Sequence, residues 1–106
     1  MKTIRVHPEA KAEFEAEVDY YLNTGQIDKA RVFKTAMDSA LDIIQKRPDR
    51  WSFPDKANYP EIRTYGPIKP FGYRIGYVEE AHFVYVLAYY WGGDKEPLEW
   101  MERVND

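Results

Sequence analysis

The sequence predicts an α+β domain: an N-terminal strand, an antiparallel helical hairpin, then a three-stranded antiparallel meander, with the helices packed on one face of the sheet. Three observations carry this expectation. Apolar residues recur at three- and four-residue spacing through residues 14–44, then at two-residue spacing through residues 61–90. The connection between the two helical stretches is so short that the helices must lie antiparallel. The chain of 106 residues, free of internal repeats, is long enough for one core and no more, so residues 1–106 form a single domain.

Taken in order, Thr3-Ile4-Arg5-Val6-His7 alternates and is β-branched, as a short strand should be. Pro8 ends it and suits the first position of a helix, where a missing N–H costs nothing. The acidic residues that follow complement the positive helix end. Phe14, Val18, Tyr21 and Leu22 then form one stripe, and Asn23-Thr24-Gly25 stops the helix with Gly25 as a left-handed cap. A second helix carries Ile27, Ala30, Phe33, Met37, Ala40, Leu41 and Ile44 and ends before Pro48. Residues 48–60 hold three prolines among Trp51, Phe53 and Tyr59, which reads as an irregular connection whose aromatics cover the core. Strands are expected at Glu61–Tyr65, Gly72–Val78 and His82–Tyr90, with turns at Gly66-Pro67 and Glu79-Glu80. The tail from Glu96 to Arg103 reads as a short helical or irregular arm.

Composition narrows the chemistry. With no cysteine, disulfides, thiolate metal sites and thiol catalysis are all excluded. Lys and Arg number 15 against 18 Asp and Glu, a net charge of -3, which is a poor basis for gripping nucleic acid. The whole excess lies in residues 81–106, with two basic residues and five acidic ones. No apolar run approaches the roughly 20 residues a membrane span needs, and the start does not resemble a signal peptide. The expectation is a soluble cytoplasmic protein without a membrane partner.

Few residues suggest catalysis. His7 precedes Pro8 and His82 lies at a turn, and neither has a partner at ligand spacing, so both read as cap or surface residues and no metal or other cofactor is expected. Glu9, Glu13 and Glu17 share one helix face and read as a solvated row. Arg63 and Arg74 on neighbouring strands, among Tyr65, Tyr73 and Tyr77, admit two readings. Arginine beside aromatics can hold phosphate and stack on a base, or can pack its stem and pair with Glu61 or Glu79.

The order of features resembles the RelE/ParE superfamily of bacterial type II toxins, found in plasmid stabilisation and chromosomal toxin-antitoxin systems. The resemblance rests on Val6-His7-Pro8-Glu9-Ala10, Phe14, Tyr20-Tyr21, Phe33, Pro48, Arg63, Tyr73-Arg74-Ile75-Gly76-Tyr77 and Glu96-Pro97-Leu98-Glu99-Trp100, spread over about residues 4–103. It implies a cognate antitoxin that wraps the toxin, as a hetero-oligomer or with a toxin homodimer. RelE-like members cleave messenger RNA on the ribosome, and for that mechanism the resemblance implies Arg63, Arg74 and Lys95 as catalytic and Tyr73, Tyr77 and Trp100 as substrate-binding. ParE-like members poison DNA gyrase by protein contact.

Two departures favour the ParE-like side. Lys95 stands where much of the family has arginine, replacing a planar fork by a point charge. Gly92 stands where many members have histidine, which removes the obvious general acid or base. The resemblance therefore implies a toxin acting by protein contact. The alternatives are a ribosome-dependent endoribonuclease and a degenerate member that binds antitoxin without toxicity.

Overall fold

The computed structural model describes residues 1–53, 57–92 and 98–105. Its elements are β1 (Thr3–Val6), α1 (Pro8–Asn23), α2 (Ile27–Lys46), β2 (Ile62–Ile68), β3 (Tyr73–Glu79), β4 (Phe83–Trp91) and α3 (Leu98–Met101), followed by a 3-10 turn at Glu102–Asn105. Among the described residues no helix is long and apolar enough to cross a membrane.

The helix ends follow the sequence signals. His7 caps α1, its Nδ1 accepting the Glu9 N–H at 3.0 Å, with Pro8 as the first helical residue. At the other end Gly25 has φ 76°, the left-handed conformation expected of it. Leu22 and Ile27, both assigned to the buried stripes from their spacing, flank this glycine and are 46% and 59% exposed. Tyr21 is the residue of the last turn of α1 that is buried, against Phe33 and Phe71.

The meander is present, and β1 joins it. The strand order is β1-β4-β3-β2, with β2, β3 and β4 antiparallel and β1 parallel to β4. A connection through the helical hairpin is what permits that parallel pairing. Gly66-Pro67 is not the turn the sequence suggested. β2 runs through both residues, with an irregular register between Tyr65 and Ile68, and the chain reverses only at residues 69–72. A bulge accommodates proline inside a strand because the register there leaves ladder positions unpaired.

The register assigns every strand residue to a face. Ile75 and Tyr77 of β3, with Val84, Val86 and Tyr89 of β4, pack against Ala10 and Tyr21 of α1 and Phe33, Met37 and Ile44 of α2. The opposite face holds a second cluster, in which Ile62, Leu87, Ala88 and Tyr90 meet Trp100 and Met101. The helical hairpin thus covers one face, as expected, and the C-terminal arm closes the other. A register shift between Gly76 and Tyr77 lets both Leu87 and Ala88 face the arm. In the connection before β2, Trp51 packs on the first cluster and Tyr59 on the second, so these aromatics do cover core.

Candidate functional site

Arg63 pairs across the ladder with Tyr77, so it shares the helix face. Its Nη1 donates to the Trp51 carbonyl at 2.6 Å, and its guanidinium lies 4.2 Å from the centroid of Phe53. Both contacts tie the irregular connection to the sheet. Arg74 is one position away in phase from Tyr73 and Ile75, and therefore lies on the arm face. There its Nη1 reaches the Gly66 carbonyl at 3.4 Å. The two arginines that the resemblance implied as catalytic partners thus point to opposite sides of one sheet. Alternation along a strand produces this whenever the residues differ by one in phase.

Lys95, the third of that group, lies outside the described residues. Gly92, where a histidine would stand, has its N–H on the Gly72 carbonyl at 2.8 Å. A side chain there would begin 2.9 Å from that carbonyl and 3.1 Å from Arg74 Nε. Local crowding therefore excludes the larger residue without rearrangement. His82 is exposed at the turn before β4, and His7 is buried as a helix cap. Among the described residues no group of three His, Cys, Asp or Glu is arranged to hold a metal ion.

The aromatic residues assigned to substrate contact separate by burial. Tyr77 is wholly buried, its hydroxyl donating to the Pro48 carbonyl at 2.6 Å, and burial pushes its phenol well above the ordinary range. Trp100 is equally buried, stacked on Tyr90 with ring centroids 5.2 Å apart. It lies flat over Gly76, where even a methyl group would overlap the indole. A ligand cannot reach either ring in this arrangement, because each fills core. Tyr73 differs. It is half-buried, edge-on to Phe33 at 5.2 Å, and lines an open cleft of about 480 Å³ with Glu13, Glu17, Tyr20, Tyr89, Tyr90 and Trp91.

The acidic row on α1 is not a plain solvated face. Arg103, from the 3-10 turn, places Nη1 and Nη2 on the two oxygens of Glu13 at 3.1 and 3.0 Å, and Nε on Glu9 at 3.0 Å. It also donates to the Leu87 carbonyl at 2.9 Å, while Glu13 accepts the Tyr89 N–H at 3.1 Å beside the register shift. Burial works against the Arg103 charge, but the hydrogen bonds and charge of Glu13, joined by Glu9, outweigh it and raise its pKa above the usual value. One arginine thus connects the arm, the helix and the bulged strand. The charges themselves are visible in the sequence, Arg103 being the only arginine of residues 81–106 and Glu9 and Glu13 being spaced i, i+4, but their meeting is not.

The remaining carboxylate of the row, Glu17, accepts the Tyr21 hydroxyl at 2.7 Å. Burial first, and this bond second, raise the Tyr21 phenol above its ordinary range. Tyr89 is pushed up to about 12, by burial and then by the charge of Asp38.

Comparison with known proteins agrees with this geometry at the level of fold. The chain superposes on a chain of the structure described as "Chromosomal ParDE TA system from P. aeruginosa", with a TM-score of 0.68 and 15% sequence identity, covering 84% of this chain and 94% of that one. The class of architecture is therefore a ParE-like α+β fold: hairpin on one face of the sheet, short arm on the other. No family model matches the sequence, and no curated protein matches it.

Proposed function

We propose that the chain is the toxin of a type II toxin-antitoxin pair, held inactive by a cognate antitoxin and acting by protein contact, in the manner of ParE-like toxins, with DNA gyrase as the candidate target. The observation that carries the reading is the shared fold with a chain of a ParDE system over 84% of the sequence, taken with the ordered motifs from Val6-His7-Pro8 to Trp100. The placement of Arg63 and Arg74 on opposite faces, and the crowding at Gly92, favour protein contact over RNA cleavage. A transition state at one phosphate needs its cationic groups convergent.

The test is induced expression without the antitoxin. Growth arrest with induction of the DNA-damage response is expected, together with rescue by the short protein of the adjacent reading frame. Normal growth at confirmed soluble expression overturns the reading. Cleavage of translated messages in primer extension, lost in Arg74→Ala, replaces it with the endoribonuclease. Stable binding to the neighbouring gene product without any toxicity replaces it with the degenerate member.

A further inference from the structure

The cleft beside Tyr73 has a composition that the toxin reading does not use. One wall is α1, where Glu13, Glu17 and Tyr20 fall at i, i+4 and i+7, and the other is the end of the sheet, where Tyr73 and Trp91 are register partners. The two carboxylates are in different states. Glu13 is neutralised by the fork of Arg103. Glu17 accepts a hydrogen bond from the uncharged Tyr21 hydroxyl and, among the described residues, makes no ion pair; the Lys29 ammonium lies over the Tyr21 ring, 5.0 Å from its centroid. Tyr20 and Trp91 stand at the rim, 58% and 52% exposed, large rings left in water at the mouth of a concave surface.

Aromatic faces carry partial negative charge, and a half-buried carboxylate between them adds a full one. The group this combination accepts best is an organic cation. We infer that the cleft receives an arginine or lysine side chain of a partner polypeptide, with the head group on Glu17 and the stem between Tyr20 and Trp91. A protein source fits better than a free small molecule. The cleft of about 480 Å³ is open, its lining is mixed polar and apolar, and the exposed rings can cover the residues flanking the cation as a water-excluding rim. The inference rests on the proposed toxin function for the identity of the partner, the antitoxin, but not for the chemistry of the cleft.

Two measurements separate these. In the first, the purified chain is titrated by NMR with N-acetyl-arginine amide and with the neutral isostere N-acetyl-citrulline amide. Shifts of the Trp91 indole and Tyr20 ring signals are expected, with citrulline about tenfold weaker, the equivalent of about 1.4 kcal/mol. Glu17→Gln keeps the shape and can still accept the Tyr21 hydroxyl, and it should reduce arginine binding to the citrulline level. Equal binding of the two amides, or no effect of Glu17→Gln, overturns the inference. Tighter arginine binding by Lys95→Ala also overturns it, because the occupant would then be this chain's own lysine.

In the second, the dissociation constant of the antitoxin complex is measured for the wild type and for Glu17→Gln. A loss of about tenfold is expected. A complex unchanged by Glu17→Gln overturns the inference while leaving the toxin reading intact. If the wild type does not bind the antitoxin at all, the toxin reading fails, and the amide titration still decides the cleft.

Discussion

On one face of the sheet, Phe33, Met37 and Ile44 of α2 meet Ile75, Val84 and Val86 in a continuous apolar layer, to which α1 adds Ala10 and Tyr21. On the other face, two residues of a four-residue helix, Trp100 and Met101, cover Ile62, Leu87 and Ala88, and one guanidinium fastens the segment that follows. The hairpin face is stabilised by area spread over many side chains. The arm face depends on a few points of fit: an indole against a glycine and a fork on a carboxylate. A short helix cannot stand alone in water, so the arm has structure only while those points hold.

That contrast can be broken by mutation. Phe33→Ala should have the largest effect, about 4 kcal/mol, because it opens a cavity in the larger layer. Urea denaturation should show one cooperative transition with a lower midpoint. Gly76→Ala should cost about 3 kcal/mol by overpacking against Trp100, but the loss should be local. Its far-UV circular dichroism should stay near wild type, while the near-UV tryptophan signal falls and the C-terminal residues become protease-sensitive. If Gly76→Ala instead unfolds the whole chain as Phe33→Ala does, the two faces are one cooperative unit and the contrast is wrong.

Arg103→Ala should follow, at about 2 kcal/mol, since it leaves Glu13 partly buried without its cation. Arg103→Lys should recover less than half of this, because an ammonium cannot bridge both Glu13 oxygens and the Leu87 carbonyl. Full recovery by lysine would show that charge alone holds the arm.

The smallest effect belongs to the hairpin face. Tyr77→Phe removes the bond to the Pro48 carbonyl and should cost about 1 kcal/mol at neutral pH. Its sharper signature is at high pH. Tyr77 and Tyr89 have raised folded pKa values, that of Tyr89 about 12. The stability tied to the neutral phenols is therefore complete below the unfolded value of about 10 and is lost as pH rises through the folded values, at up to about 1.4 kcal/mol per pH unit for each. Urea midpoints measured from about pH 9 to about pH 11.5 should fall less steeply in Tyr77→Phe. Parallel slopes would place the alkaline sensitivity elsewhere.

Much of the hairpin face could be read from the sequence, because helices declare themselves by period, by Pro8 and Gly25, and by the stop before Pro48. The strand meander could be read for the same reason. Less legible was anything that depends on register. The bulge at Gly66-Pro67 looked like a turn because both residues favour turns, and only the ladder reveals that the strand continues. Arg63 and Arg74 looked like partners because they lie on adjacent strands, yet their relative phase is fixed by pairing, which spacing alone does not supply. The reach of Arg103 back to Glu13 spans 90 residues, and no local pattern encodes a contact at that distance. Tyr73, Tyr77 and Trp100 share a chemistry but not an environment: one lines a cleft and two are packing.

The parallel pairing of β1 with β4, Thr3 beside Phe83, also sets an order of events. Closing so long a loop costs entropy that only later contacts repay. During synthesis β1 emerges among the first residues of this stretch, yet it has no strand to pair with until β4 has been made. The helical hairpin, whose contacts are close in sequence, can form in the meantime, and its sheet-facing side chains wait uncovered. The nascent chain therefore leaves this apolar face open from the end of α2 at Lys46 until β4, Phe83–Trp91, has been made.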